Sequence, residues 1–120
     1  MRYMLLIYKD EKLWDEMSVQ EKGTIFQQAV EFSEGLRKSG VYQAGDPLEP
    51  TSTATTVRMK NGKTITTDGP FAETKEQLGG YFIVEAKNLD EAIAIAARIP
   101  SVRVGGSIEV RPIMEIDFSK

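Results

Sequence analysis

The stretch YMLLIY, residues 3–8, decides the fold of this 120-residue chain, because no polar side chain interrupts it. Aromatic and branched residues favour a β-strand, and the lack of polar alternation predicts a strand that is buried on both faces. Such a strand lies in the middle of a sheet.

A long amphipathic helix follows this strand. Ser18 and Glu21 have the spacing of a capping box, in which the hydroxyl and the carboxylate each accept a backbone amide. Apolar residues then recur at intervals of three and four as far as Leu36, and residues 38–40 supply a lysine and a terminating glycine. The pattern predicts a helix over residues 19–39.

The rest of the chain predicts more strands and a second helix. Asn88 and Glu91 repeat the capping-box spacing, and Pro100 ends the apolar pattern that follows them. Short β-branched or alternating segments indicate the strands. These predicted strands cover residues 41–45, 54–60, 63–67, 81–86 and 107–113.

A hairpin is expected in the middle of the chain. Asn61-Gly62 is a strong signal for a two-residue type I′ turn. Apolar and polar residues alternate on both sides of it, which predicts one covered face and one exposed face. The residues assigned to the covered face are Thr55, Val57, Met59, Ile65 and Thr67.

The order strand, helix, strand, hairpin, strand, helix, strand matches an α+β ferredoxin-like sandwich with an inserted β-hairpin, in a single domain over residues 1–120. Both helices cover one face of the sheet. The other face still carries apolar side chains, and a second copy of the chain is the simplest cover. We therefore expect a homodimer.

The composition narrows the possible chemistry. The chain has 15 Lys and Arg against 18 Asp and Glu, a net charge of −3 that gives no general attraction to nucleic acid or an anionic membrane. It has no cysteine and no histidine, so disulfides, thiolate nucleophiles and Ser-His-Asp triads are excluded. We expect no metal and no cofactor, and acid–base chemistry limited to carboxylates, lysine or tyrosine. No signal peptide or membrane span is recognisable, which predicts a cytoplasmic protein.

Four segments resemble the DGPF-domain family, which belongs to the YCII-related proteins. The tetrapeptide that gives the family its name is at residues 68–71, inside the longest segment. The resemblance runs in order along almost the whole chain. The four segments are residues 3–8, 53–58, 67–81 and 108–113.

This resemblance implies a dimeric α+β barrel. It brings no settled activity: some family members are linked with extracytoplasmic-function sigma factors, and the wider group is linked with catalysis through a histidine–aspartate pair. The chain has the aspartate, Asp68, but no histidine, so the pair cannot be carried over to it.

Asp68 is the candidate catalytic residue. It comes where a strand ends and a Gly-Pro turn begins, so its carboxylate either projects into a pocket or accepts a hydrogen bond within the turn. Lys9 and Asp10, which end the first strand, are expected to be exposed.

Four residues near this aspartate are candidate ligand-binding residues. Phe71 either fills the core or forms an apolar wall that raises the carboxyl pKa of Asp68. Glu73 and Lys75 either form a solvated charged loop or line the mouth of a pocket, with Lys75 holding an anionic group. Tyr81 lies in a strand, where a tyrosine usually packs its ring and hydrogen-bonds its hydroxyl to a neighbour.

The sequence supports two functions. The first is a small dimeric barrel that binds a small organic molecule in a cleft near Asp68, with or without carboxylate acid–base catalysis. The second is a non-catalytic regulatory or interaction module in a sigma-factor pathway. A partly buried Asp68 beside a cavity favours the first function, whereas a solvated Asp68 with a further exposed apolar surface favours the second.

Overall fold

The computed structural model describes residues 1–117, which form a four-stranded sheet, a separate two-stranded hairpin and three α-helices. The elements in chain order are β1 (Arg2–Lys9), α1 (Glu11–Glu16), α2 (Val19–Lys38), β2 (Tyr42–Pro47), β3 (Thr55–Lys60), β4 (Lys63–Asp68), β5 (Gln77–Glu85), α3 (Leu89–Ala96) and β6 (Ser107–Pro112).

The four-stranded sheet has the order β2-β5-β1-β6, and every neighbouring pair is antiparallel. The prediction that residues 3–8 form a central strand is confirmed, because β1 pairs with β5 on one side and with β6 on the other. Since β5 lies between β1 and β2, the unit β1-α2-β2 is a split β-α-β unit. The α+β class is therefore confirmed.

The core lies between the sheet and the helices α2 and α3. Leu5 and Val84 from the sheet and Leu36 from α2 are its most completely buried large side chains. The side chains of Met4 and Leu6 point to the opposite face of the sheet, where they are only half-buried. Within one chain, then, β1 is buried on the helix side alone.

The predicted cap residues set the starts of two helices, and the first of them forms a complete capping box. Ser18 Oγ accepts from the backbone N–H of Glu21 at 3.0 Å, and the Glu21 carboxylate accepts in return from the backbone N–H of Ser18. Asn88 Oδ1 accepts from the backbone N–H of Glu91 at 3.0 Å. The helix α3 is shorter than its apolar pattern and ends at Ala96.

The sequence interpretation did not predict α1, and the strand that it predicted for β5 was too short at its start. Asp10 caps α1 by accepting from the backbone N–H of Lys12 at 2.9 Å. The strand β5 begins at Gln77 rather than at residue 81, because the glycines before Tyr81 pair with β1 and β2 through their backbones. Gly80 allows a close approach to β2 there, since a Cβ would come 3.0 Å from the carbonyl oxygen of Asp46.

The hairpin is confirmed, but its predicted faces are wrong. Asn61 and Gly62 have φ angles of 52° and 78°, as a type I′ turn requires. The register places Val57 opposite Thr66 and Arg58 opposite Ile65. Because directly opposed residues share a face, Val57 and Ile65 lie on opposite faces, and both are exposed.

The molecule is flat: its Cα atoms extend over 52 × 48 × 19 Å. The hairpin belongs to its own two-stranded sheet and is not hydrogen-bonded to the larger sheet as a further strand. In residues 1–117, no helix has the length and apolar character that crossing a membrane would need.

Candidate functional site

A cavity of about 690 Å³ lies between the N-terminal half of α2 and the sheet. Of the residues of α2, all of which the structure describes, only Leu36 is fully buried, near the C-terminal end of the helix. Ile25 and Ala29, earlier on the same apolar face, line the cavity instead. The helix is therefore anchored at one end and spans an open space at the other.

Aromatic rings line much of this cavity. Trp14 of α1 meets Phe26 of α2 edge to face, with ring centroids 5.8 Å apart. Phe32 of α2 meets Phe82 of β5 in the same way at 5.3 Å. Aromatic side chains favour further edge-to-face or offset contacts with another ring. The apolar part of the lining can therefore contact an aromatic ligand.

Lys9 provides a positive charge at the wall. Its ammonium lies over the ring of Trp14, 4.1 Å from the centroid. Burial lowers the pKa of Lys9, and the nearby carboxylates of Glu11 and Asp15 oppose this change without cancelling it. The expectation that Lys9 and Asp10 are exposed is wrong, since both are half-buried. The helix α1 folds back across the end of β1 and brings Trp14 over the lysine.

Glu11 ties α1 to the loop on the other side of the cavity. Its carboxylate accepts hydrogen bonds from the Thr51 hydroxyl and, at 3.0 Å, from the Thr51 backbone N–H. The backbone N–H of Glu11 donates to Oε1 of Gln77 at 2.9 Å. These bonds hold three separate segments together around the cavity.

A tight loop after α3 forms another part of the cavity wall. The Ser101 hydroxyl is buried there and has no hydrogen-bond partner among residues 1–117. The backbone N–H of Gly106 donates to the carbonyl oxygen of Ser101 at 2.8 Å, and a Cβ on Gly106 would come 2.7 Å from that oxygen. The close approach requires a glycine.

The predicted catalytic residue lies elsewhere. Asp68 ends β4, opposite Thr55, and is exposed. Phe71 follows the turn and is 80% exposed, and Glu73 is exposed as well. None of these three is among the described residues that line the 690 Å³ cavity.

The remaining two predicted residues also lie outside this cavity. Lys75 is exposed and borders an open depression of about 510 Å³, beside Tyr8 and Glu109. Tyr81 lies on the sheet face that the helices leave uncovered, where its hydroxyl donates to Asp46 Oδ2 at 2.8 Å. The Asp46 carboxylate, through this bond and its charge, raises the pKa of Tyr81. The functional roles assigned to all five residues stay predictions.

The sequence interpretation missed the residues that line the cavity because it missed α1. A signal was available: Asp10 is a favoured N-cap residue, and Leu13, Trp14 and Met17 follow at helical spacing. In the described part of the chain, no group of three or more acidic side chains is placed to hold a metal ion.

Comparisons with known proteins agree with this architecture. The YCII-related domain family matches residues 1–117. A protein of Rhizobium meliloti (strain 1021), called uncharacterized protein R00369, is 36% identical over 114 residues, which cover 94% of this chain and 92% of that protein. Among solved structures, 5-chloro-2-hydroxyhydroquinone dehydrochlorinase (TftG) from Burkholderia phenoliruptrix AC1100, in complex with 2,5-dihydroxybenzoquinone, superposes with a TM-score of 0.53. The two sequences are 19% identical, and the match covers 95% of this chain and 94% of the enzyme.

Proposed function

We propose that this chain, which belongs to the YCII-related domain family, binds a small organic molecule in the cavity between α2 and the sheet. The observation that carries the proposal is the cavity itself, with its volume of about 690 Å³ and its aromatic lining. Ligand pockets typically measure about 300–1,000 Å³ and combine apolar walls with a few polar groups.

The molecule bound to the dehydrochlorinase is our guide to the size of the proposed ligand. Its bound molecule, 2,5-dihydroxybenzoquinone, is a single oxygenated ring. A ring of that size fits a cavity of this volume, with room for substituents. The chain would hold such a ring against Trp14, Phe26, Phe32 and Phe82.

The working unit that we propose is a homodimer in which two ferredoxin-like sandwiches pair as a dimeric α+β barrel. The chain exposes 8707 Å², whereas a compact monomer of its mass exposes about 6,500 Å². Its radius of gyration is 16.6 Å, against about 13.6 Å for a compact domain of 120 residues. The uncovered sheet face, with Met4, Leu6 and Ile83 at its centre, is the surface that a second copy would cover.

Asp68 keeps a place in this proposal as an acid–base group. It lies on the projecting hairpin, which a second copy could bring beside a cleft. The role requires that Asp68 contact the ligand in the assembled protein.

The test is a thermal-shift screen of small organic molecules against the wild type and three variants. Saturation at 100 times Kd stabilises the folded protein by about 2.7 kcal/mol. Ala29→Phe fills the cavity, so we expect it to abolish the stabilisation. Ala94→Phe, on the exposed face of α3, is the matched control and should respond like the wild type.

The third variant, Asp68→Ala, separates the two parts of the proposal. Weaker stabilisation by the same compounds supports a ligand contact at Asp68, and an unchanged response removes that role. Compounds that stabilise Ala29→Phe as well as they stabilise the wild type would contradict binding in this cavity.

A second candidate function is a non-catalytic interaction module, favoured by the exposure of Asp68 together with exposed apolar side chains: Phe71 is 80% exposed, and Val57 and Ile65 of the hairpin are exposed as well. Exposed apolar side chains that form a patch often mark a protein contact, whereas a single exposed ring does not. Solvent accessibility of Phe71 in the assembled protein, read from NMR solvent relaxation, discriminates between the candidates. Persistent exposure supports the interaction module, and burial in the homodimer removes its basis.

A further inference from the structure

The cavity contains a cation that no described carboxylate pairs with. Within residues 1–117, the Lys9 ammonium makes no hydrogen bond and no ion pair: it lies over the ring of Trp14, and the carboxylates of Glu11 and Asp15 attract it without reaching hydrogen-bond distance. The aliphatic part of the lysine is held against β5, where a Cβ on Gly79 would come 3.0 Å from its Cε. A partly buried ammonium with free donors is costly unless an acceptor is supplied.

Resting on the function proposed above, we propose that the cavity selects a flat aromatic molecule bearing an anionic oxygen, with Lys9 as the counter-ion of that oxygen. The ligand ring packs among Trp14, Phe26 and the Phe32–Phe82 pair. Its carboxylate or phenolate oxygen receives the hydrogen bonds that the Lys9 ammonium leaves unused. A charge-assisted bond of this kind is stronger than one between neutral groups.

The cavity lining carries carboxylates as well as Lys9, but the two nearest to Lys9 along the chain already accept hydrogen bonds. The Asp10 carboxylate accepts from the backbone N–H of Lys12, and the Glu11 carboxylate accepts from Thr51. The ring of Trp14 carries two ammonium groups, since the Lys22 ammonium also lies 5.7 Å from its centroid. A third cation at this ring would meet the repulsion of both lysines, whereas an anion would be attracted by both.

Carboxylates in the same lining make a cationic ligand the alternative to be tested. Asp15, which is near Lys9, and Glu49 border the cavity and would attract a positively charged ligand. The two possibilities differ in the sign of the ligand charge. The experiment therefore compares ligands that share one ring and differ in charge.

Four probes are titrated into the wild-type protein near neutral pH and followed by NMR. Three share a phenol ring: 4-hydroxybenzoate is anionic, 4-hydroxybenzamide is neutral and 4-hydroxybenzylamine is cationic. Cyclohexanecarboxylate keeps the charge and lacks the flat ring. We expect 4-hydroxybenzoate to bind about tenfold more tightly than the amide, and the amine and the aliphatic acid to bind more weakly still.

Variants assign the preference to Lys9. Lys9→Met should reduce the preference for benzoate over benzamide to about one, with the affinity for the amide unchanged. Lys9→Arg keeps the charge and should retain most of the preference. Lys12→Met, an exposed lysine on α1 outside the cavity lining, is the matched control.

The outcomes separate this inference from the proposed function. If the amide or the amine binds the wild type as tightly as the benzoate, or if the preference survives Lys9→Met, the inference is overturned while binding in the cavity stands. The wild-type ranking decides the sign of the charge even if Lys9→Met fails to fold. If no probe and no compound of the wider screen binds, the proposed function itself fails.

Discussion

Gly45 shows how closely single residues shape the cavity wall. It lies on β2 opposite Phe82, and a Cβ built on it would come 2.5 Å from Cδ1 of that ring. The missing side chain allows the Phe82 ring to lie over the edge strand and to meet Phe32 edge to face. A glycine in a strand interior often marks such a close approach.

Gly45→Ala should destabilise the protein by about 1–3 kcal/mol, because the added methyl group overpacks the ring of Phe82. The free energy of unfolding, measured with urea, provides the test. Gly23→Ala is the contrasting variant, since it adds the same methyl group within α2 with no atom within 4 Å. It should stabilise the protein by about 0.5–1 kcal/mol. Equal effects of the two substitutions would contradict this account of the wall.

At the same scale, Lys9 shows why sequence alone could not identify the site. Its position at the end of an apolar strand predicts exposure, and this is correct for most lysines. Its burial depends on Trp14, which is five residues away and returns over it only because α1 forms. A side chain that becomes buried only when a later helix folds over it shows no local sequence pattern that would reveal its burial.

Among the elements, those with strong periodicity were predicted and those without it were missed. The capping box of α2 and the Asn-Gly turn specify their structures locally, so both were found. The six residues of α1 are too few for a reliable helical pattern, and the start of β5 contains two glycines that disfavour strand structure. Both α1 and the start of β5 form because of tertiary contacts, which a local sequence pattern does not show.

The β3–β4 hairpin is the element that packing stabilises least. A two-stranded hairpin is marginally stable in water, and Val57 and Met59 on one of its faces are 61% and 68% exposed. In dilute, monomeric protein we expect the hairpin amides to exchange with solvent much faster than those of β1 and β5. Hydrogen exchange followed by NMR measures this difference within one sample.

Concentration provides the control for this prediction. At concentrations that favour a dimer, the hairpin amides should become protected while those of β1 change little. Strong protection of the hairpin in the dilute monomer would show that it is stable alone and would remove one reason for a second copy.

The whole chain exposes about 2,200 Å² more than a compact monomer of its mass. An excess of that size is what one subunit of a large interface carries when it is considered alone. The sequence anticipated the uncovered sheet face from the apolar residues that the two helices could not reach. It did not anticipate how far the hairpin would extend from the body.

Leu6→Lys should convert the dimer to a monomer without unfolding it. Leu6 is opposite Glu109 on the uncovered face, so the new ammonium has a carboxylate beside it in the single chain and would be buried in the dimer. Sedimentation equilibrium at micromolar concentration should give twice 13.4 kDa for the wild type and 13.4 kDa for the variant. The exposed substitution Gln27→Lys on α2 is the control, and a monomeric wild type would contradict the proposed assembly.

At this largest scale the fold was more predictable than the site. Strand order follows from a few strong patterns and from the limited ways of connecting them. The predicted site residues cluster in the 67–81 segment, whereas the cavity is assembled from the end of β1, α1, α2, the loop after β2, β5 and the loop after α3. A cleft that six separate segments build is a property of packing, and no single segment encodes it.

The anchoring of α2 at one end has an evolutionary consequence. Leu36 fastens the helix, while Ile25 and Ala29 line the cavity and take no part in that attachment. Descendants of this chain can therefore replace those two side chains and acquire new ligands while the scaffold stays intact. Diversity of binding among relatives should concentrate in the first half of this helix.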